Sequence, residues 1–350
     1  MQPVRIAFVG VGNMGQCAHL KNYAIIPDCQ VVALAEIREE LGQAVAQRYG
    51  IPNVYADHKA LLANEQIDAI VSAQPFTRHG TLLPELIEAG VPILTEKPLA
   101  GSVESGETVV RALDAAGTWH MLGYHKRSDP AVMYAKAETD RLQESGELGK
   151  LKYVRILMPA GDWIAGGFND LIQIDGPRPN LAMDPPASDM DAATYDAYIA
   201  FVNYYIHQVN LMRHLMGEPY AVTYADPNEV LLVCESESGI TGTIEMSPYQ
   251  NTVRWDESAL VAFEKGFVKI DLPAPLTNNA PGRVEILRDP GDGVTPITTV
   301  PDLPWVHAMR QQAINFCRAV RGEIPPMTEA HEALQDLQIA RDYIRLLKGV

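Results

Sequence analysis

Apolar runs and amphipathic segments alternate through the first 120 residues. Val4–Val9 (VRIAFV) reads as a buried parallel strand, and residues 30–35 (QVVALA) as a second. Shorter apolar runs follow at 68–72, 92–95 and 119–122. Helical segments are expected at about 14–23, 38–49, 81–89 and 103–116. Near-continuous apolar strands separated by helices predict a parallel sheet covered on both faces. Right-handed crossovers then make it doubly wound.

The rhythm changes after about residue 125. Residues 130–145 look helical and 152–158 look like a strand. Residues 159–190 are rich in Gly, Pro, Asp and Asn, and loops of that length are usually functional or disordered. One helix of about 25 residues is expected over 192–216. Strand-like segments at 230–234, 241–246, 252–255, 260–263, 267–270 and 283–287 have turn residues between them, which suggests an antiparallel sheet. Helices near 305–320 and 329–347 close the pattern. The fold class is α/β, with domains at 1–124 and 125–350. A chain of 350 residues exceeds what one core usually holds.

Composition narrows the function classes. Hydrophobic residues make up 47% and charged residues 21%, ordinary for a soluble protein. The net charge of −16 disfavours nucleic-acid binding, which usually needs a basic face. No run approaches the ~18 apolar residues of a membrane span. A strand-like run begins almost at once, without a basic region or small-residue cleavage site, so no signal peptide is expected. Cys17, Cys29, Cys234 and Cys317 lack CxxC spacing. A disulfide framework and a zinc knuckle are therefore not expected, nor any metal, and the compartment is expected to be the reducing cytoplasm.

Gly10-Val11-Gly12-Asn13-Met14-Gly15 fits GxGxxG. It follows an apolar strand, opens a helix and precedes, by about 20 residues, the acid Glu36 that ends the second strand. Gly10 permits the tight turn, Gly12 lets a pyrophosphate approach the backbone, and Gly15 lets helix and strand pack closely. The helix N-terminus favours phosphate. Asn13, Met14 and Ile37 belong to the same cofactor-binding set. Glu36 would hold the ribose hydroxyls and repel a 2′-phosphate. Arg38 could accommodate one. NAD is expected, and NADP remains open. The alternative is a structural turn with no ligand.

Thr95-Glu96-Lys97-Pro98-Leu99 follows a strand of the sheet, where open parallel sheets bind ligands. Alone, it reads as a surface Glu-Lys pair. Together with the glycine turn, Glu36, Gln74-Pro75…His79 and Gly123-Tyr-His-Lys-Arg127-Ser-Asp-Pro130, it resembles the glucose–fructose oxidoreductase/inositol dehydrogenase family (Gfo/Idh/MocA). The resemblance is specific over residues 4–130 and loose afterwards. It implies an N-terminal Rossmann domain and a C-terminal α/β domain whose open antiparallel sheet often forms an oligomer interface, so a homodimer or homotetramer is expected. It also implies nicotinamide-dependent chemistry on a sugar or cyclitol. By the same resemblance Lys97 contacts the reacting hydroxyl and the nicotinamide ribose, Glu96 lies at the cofactor, the segment matching His79 lies near its nicotinamide side, and Arg127 can contact substrate.

The helix expected over 192–216 raises a separate question. At 100° per residue, Tyr198, Val202, Tyr205, Val209, Met212 and Met216 share an apolar stripe. Asp196, Asn203, His207, Asn210 and His214 fall roughly opposite. Periodicity alone makes the second stripe a solvated face; the alternative is that it lines a substrate cleft. The family often carries Asp-x-Gly-x-His here, with His as general acid/base. This chain reads Asn203-Tyr204-Tyr205-Ile206-His207. Asn cannot stabilise an imidazolium as Asp would, and Tyr204 could share the polar work. His207, Asn203 and Tyr204 are therefore the candidates for proton transfer beside Lys97. In the loop, Asp162 and Trp163 beside glycines would suit a carbohydrate, or form an ordinary surface turn.

Three activities fit this reading. The first is a sugar or cyclitol dehydrogenase. The second is a redox-neutral glycosidase that oxidises its substrate transiently. The third is a non-enzymatic NAD(H) sensor.

Overall fold

The computed structural model describes residues 2–176 and 180–349. The chain folds into two compact units. The first takes Met1–Tyr124, Gly166–Tyr195 and Met309–Leu337; the second takes His125–Ala165, Asp196–Ala308 and Gln338–Val350. A single cut after residue 124 therefore does not describe them. Burial explains why later segments return to the first unit. Ala313, Phe316 and Cys317 lie in one core with Phe8, Tyr23 and Leu94, and Ile172 and Ile174 pack against it.

In the first unit the strands are β1 (Val4–Val9), β2 (Cys29–Ala35), β3 (Asn53–Tyr55), β4 (Ala69–Ser72), β5 (Ile93–Thr95) and β6 (His120–Leu122). All pair parallel, in the order β3-β2-β1-β4-β5-β6. The order reverses direction between β1 and β4, the place where such sheets bind ligands. Edge-on aromatic contacts at 5.5 to 6.4 Å link Phe8, Tyr23, Phe316 and Trp119. Strand β3 and the helix His58–Asn64 escape sequence periodicity because each is too short to show a period. The helix is started by Asp57, whose carboxylate accepts the Ala60 N–H at 2.8 Å.

The second unit holds β7 (Leu151–Leu157), β8 (Tyr220–Ala225), β9 (Leu231–Ser236), β10 (Thr241–Glu245), β11 (Glu257–Phe263), β12 (Gly266–Leu272), β13 (Arg283–Arg288) and β14 (Ile297–Thr299). Their order is β14-β13-β12-β11-β7-β10-β9-β8. The sheet is antiparallel except for the β7–β10 pair. Strands β8 and β14 were not expected. Residues 252–255, expected as a strand, are not one, because the Asn251 side chain accepts the Arg254 N–H at 2.7 Å and turns the backbone.

The helix expected over 192–216 is two helices, Ala192–Tyr204 and Ile206–Met216, with Tyr205 between them. Aromatic residues hold a helix weakly. Here the Tyr205 hydroxyl is anchored outside it, 2.6 Å from Ser247 Oγ and 3.2 Å from the Met246 carbonyl.

Candidate functional site

In the first unit the glycine turn is packed on one side and open on the other. Gly10 has φ +89°, and a Cβ there would lie 2.2 Å from Gln74 Nε2. A Cβ on Gly15 would lie 2.7 Å from the Gly10 carbonyl oxygen. Gly12 differs: its Cβ would meet only Arg38 Nη2, at 3.8 Å. That open space beside the backbone is what a pyrophosphate needs, so the residues present fit a dinucleotide. The turn is braced by Gln16, whose amide donates to the Val11 and Ile172 carbonyls at 2.9 and 3.1 Å and accepts the Ile172 N–H at 3.0 Å. Asn13 is exposed and Met14 half-buried.

Glu36 is 5% exposed. Its Oε2 accepts the Val11 N–H at 3.1 Å. Its Oε1 accepts Arg38 Nε at 2.7 Å and the Arg38 N–H at 3.2 Å. The acid and the base that sequence reasoning set in competition are thus bonded to each other. Ile37 between them is exposed. Gln74 donates to the Val9 carbonyl at 3.3 Å and accepts from Arg78 at 3.0 Å, which fixes it against the turn. Pro75 is exposed.

Lys97 lies two residues beyond the end of β5 and is half-buried; the Lys97–Pro98 peptide is cis. Its neighbour Glu96 accepts a 2.6 Å bond from His19 Nε2. Burial works to raise the Glu96 carboxyl, but the His19 bond and the charges of His19 and Lys97 hold it below the usual carboxylate range. His79 is fully buried, and its Nδ1 donates to the Leu99 carbonyl at 3.0 Å. Through that bond it holds the segment that follows Lys97. Burial also keeps it neutral.

In the second unit His207 opens the helix Ile206–Met216 and is half-buried. Its ring meets that of His125 edge-on, 4.6 Å between centroids. Asn210 is buried, while Asn203 and Asp196 are exposed. The polar stripe is therefore not one solvated face: it is solvated before the break and drawn into the fold after it. Tyr204 is raised chiefly by burial, opposed by a bond from the Gly161 backbone, which sets it against the Asp162–Trp163 loop. Asp162 Oδ1 accepts the N–H groups of Ile164 and Ala165 at 3.0 and 3.1 Å, so that oxygen shapes its own turn. The Trp163 carbonyl accepts from Leu276 at 3.3 Å. Arg127 is half-buried, and its charge helps burial keep His214 neutral.

Sequence reasoning missed a buried charge pair in this unit. Lys126 Nζ lies 2.6 Å from Glu257 Oε2, the two side chains 4% and 0% exposed. Gln208 donates to Glu257 Oε1 at 2.8 Å and Trp255 to Oε2 at 3.1 Å. Lys126 adjoins His125, and Gln208 adjoins His207. No local pattern marks Glu257. Among the described residues, no group of three or more His, Cys, Asp or Glu could hold a metal ion.

Residues 4–124 match the family model GFO_IDH_MocA, described as "Oxidoreductase family, NAD-binding Rossmann fold". The chain is 27% identical to the scyllo-inositol 2-dehydrogenase (NAD(+)) of Bacillus subtilis over 72% of this chain and 70% of that protein. It is 26% identical to the inositol 2-dehydrogenase of Rhizobium meliloti over 83% and 80%. The aldose-aldose oxidoreductase of Caulobacter crescentus superposes with a TM-score of 0.72 at 20% identity, covering 99% of this chain and 98% of that one. At that identity the superposition speaks for the fold alone.

Proposed function

We propose that the chain, whose residues 4–124 match the Gfo/Idh/MocA oxidoreductase model, is an NAD-dependent dehydrogenase that oxidises a secondary alcohol of a sugar, sugar derivative or cyclitol. One observation carries the reading most directly. Lys97 stands at the carboxyl end of β5 in the unit that also holds the open glycine turn, behind a carboxylate held ionised by His19. Relatives that act on inositols support the substrate class.

The nicotinamide, when bound, accepts the hydride. The protein's own work is positioning and proton management. Lys97 orients the reacting oxygen and stabilises negative charge as it develops there. His207 takes the hydroxyl proton, with Tyr204 and Asn203 beside it in sequence, and Arg127, Asp162 and Trp163 contact the substrate. Glu36 holds the adenosine ribose through lone pairs that Val11 and Arg38 leave available.

The open sheet of the second unit is proposed as a homo-oligomer interface. Tyr224, Ile297, Val300 and Trp305 are large apolar side chains exposed in that unit, and light scattering reads the assembly directly. A reducing, cytoplasmic setting suits its four free cysteines. Among the described residues, no helix is long and apolar enough to cross a membrane.

The test is a screen of inositols, aldoses and glycosides, followed by NADH absorbance with both cofactors. Stoichiometric NADH is expected. Product release without NADH would replace the dehydrogenase with the redox-neutral glycosidase. Lys97→Ala should keep the fold and measurable NAD binding while losing about 100-fold or more in turnover. Near-normal kcat with unchanged KM would remove Lys97 from the mechanism.

A further inference from the structure

We infer that His19 is a positioning residue for Lys97: its buried bond to Glu96 ties the helix that receives the dinucleotide's phosphates to the segment that presents the lysine. The inference rests on the role proposed for Lys97.

His19 lies four residues after Gly15, in the helical turn Gly15–Leu20, all six residues of which are buried. Its Nε2 is 2.6 Å from Glu96 Oε1, and the two side chains are 2% and 13% exposed. A charge-assisted bond of that length is among the stronger ones a protein makes. Removing one partner leaves the other charge buried and alone.

Glu96 has little freedom to follow any other course. The Gly123 N–H donates to the Thr95 carbonyl at 2.7 Å. Thr95 Oγ1 donates to the Glu96 carbonyl at 3.0 Å. A Cβ on Gly123 would come within 3.3 Å of Glu96 Cα. The backbone leading into Lys97 is thus held from two sides, and the Glu96 side chain supplies a third tether, to the phosphate-binding helix. A displacement of that helix is transmitted to the residue before Lys97 through one hydrogen bond.

The charges around Glu96 make the tether testable by pH. His19 and Lys97 both favour its ionised form, against burial. Cys17 and His79 also feel its charge. Without His19, burial is opposed mainly by Lys97, so the carboxyl should take up a proton at higher pH. Protonation would slacken the segment just where Lys97 begins.

The experiment compares His19→Leu and His19→Gln in the full chain, using NAD+ titration calorimetry and turnover of myo-inositol from pH 5 to 8. We expect His19→Leu to keep most of its NAD+ affinity at pH 8 and to lose about 10- to 100-fold in kcat, the scale of a small misplacement of a reacting group. It should gain a fall in NAD+ affinity toward pH 5 that the wild type lacks, and a fall in kcat toward pH 5 steeper than the one His207 gives the wild type. His19→Gln restores a donor and should recover most of the loss. His19→Leu added to Lys97→Ala should cost little more than Lys97→Ala alone, because groups acting as one unit are not additive. Unchanged kcat and pH profiles in His19→Leu would overturn the inference, as would an equal loss in both backgrounds. Should His19→Leu fail to fold, Glu96→Gln keeps an acceptor for His19 but removes the charge. A several-fold lower kcat is expected there, and an unchanged one overturns the inference. A silent Lys97→Ala would overturn the reading of Lys97 and this inference with it. A crippled Lys97→Ala beside an unaffected His19→Leu would overturn this inference alone.

Discussion

At the scale of the residue, the proposed chemistry turns on two side chains. Glu36 is the residue proposed to set the cofactor preference. Its carboxylate is buried and bonded to Val11 and Arg38, so a 2′-phosphate would meet a fixed negative charge. NAD+ should outperform NADP+ in kcat/KM; a wild-type preference for NADP+ would sink this. Glu36→Ser removes that charge and frees the Arg38 guanidinium, already poised over Gly12, so the gap should narrow. His207 is the side chain proposed to take the proton. If it merely faced solvent, His207→Ala would change stability by no more than about 0.5 kcal/mol and leave the rate alone. As the base, its loss should lower kcat roughly 100-fold and flatten the pH dependence between about 5 and 8. Asn203→Asp should move the base-requiring limb to higher pH, since a carboxylate nearby favours imidazolium. The shift should be small because residue 203 is exposed and its charge would be screened.

At the scale of the element, the glycine turn separates binding from folding. Gly15 sits against backbone, so Gly15→Ala forces a Cβ to 2.7 Å from the Gly10 oxygen. Overpacking of that kind costs about 1–3 kcal/mol, and a lower melting temperature should show it. Gly12 faces open space, so Gly12→Ala should leave the melting temperature unchanged. It should still weaken NAD+ binding at least about tenfold, or ~1.4 kcal/mol, by occupying the approach of the pyrophosphate. Calorimetric melting and NAD+ titration on both variants check the contrast. Equal effects on both observables would mean that the two glycines do not have separate jobs.

At the scale of the whole molecule, acid sensitivity should come from buried neutral histidines. Burial, with His79 second, pushes His120 down to about 3, and burial lowers His79 too. The unfolded chain therefore binds more protons than the folded one below the ordinary histidine value of 6.5. Stability is fully present above that pH and is lost progressively as pH falls from about 6.5 toward 3. Asp129 works the other way over part of that range, since burial raises it to about 6. Relief of self-repulsion as the charge of −16 is neutralised opposes the loss as well. A His120→Gln variant isolates the histidine contribution. Its melting temperature should fall less than that of the wild type between pH 7 and 5, and a parallel fall would remove His120 as a cause.

The sequence alone determined the parallel half of the fold and its cofactor turn. Buried parallel strands are near-continuous apolar runs, and the glycine turn is a local requirement of backbone geometry, so both leave a readable pattern within a few residues. The helix Val103–Ala116 has the bounds its periodicity predicts, with a Ser102 cap and Gly117 at its end. Tertiary structure alone decided the rest. The break at Tyr205 follows from an anchor 42 residues away at Ser247. The Lys126–Glu257 pair joins residues 131 apart, and the His19–Glu96 bond spans 77. Residues Gly166–Tyr195 and Met309–Leu337 return to the first unit because the core there needs their apolar side chains. Pairings of this kind have no local period, since each partner is an ordinary residue until the fold brings it to the other.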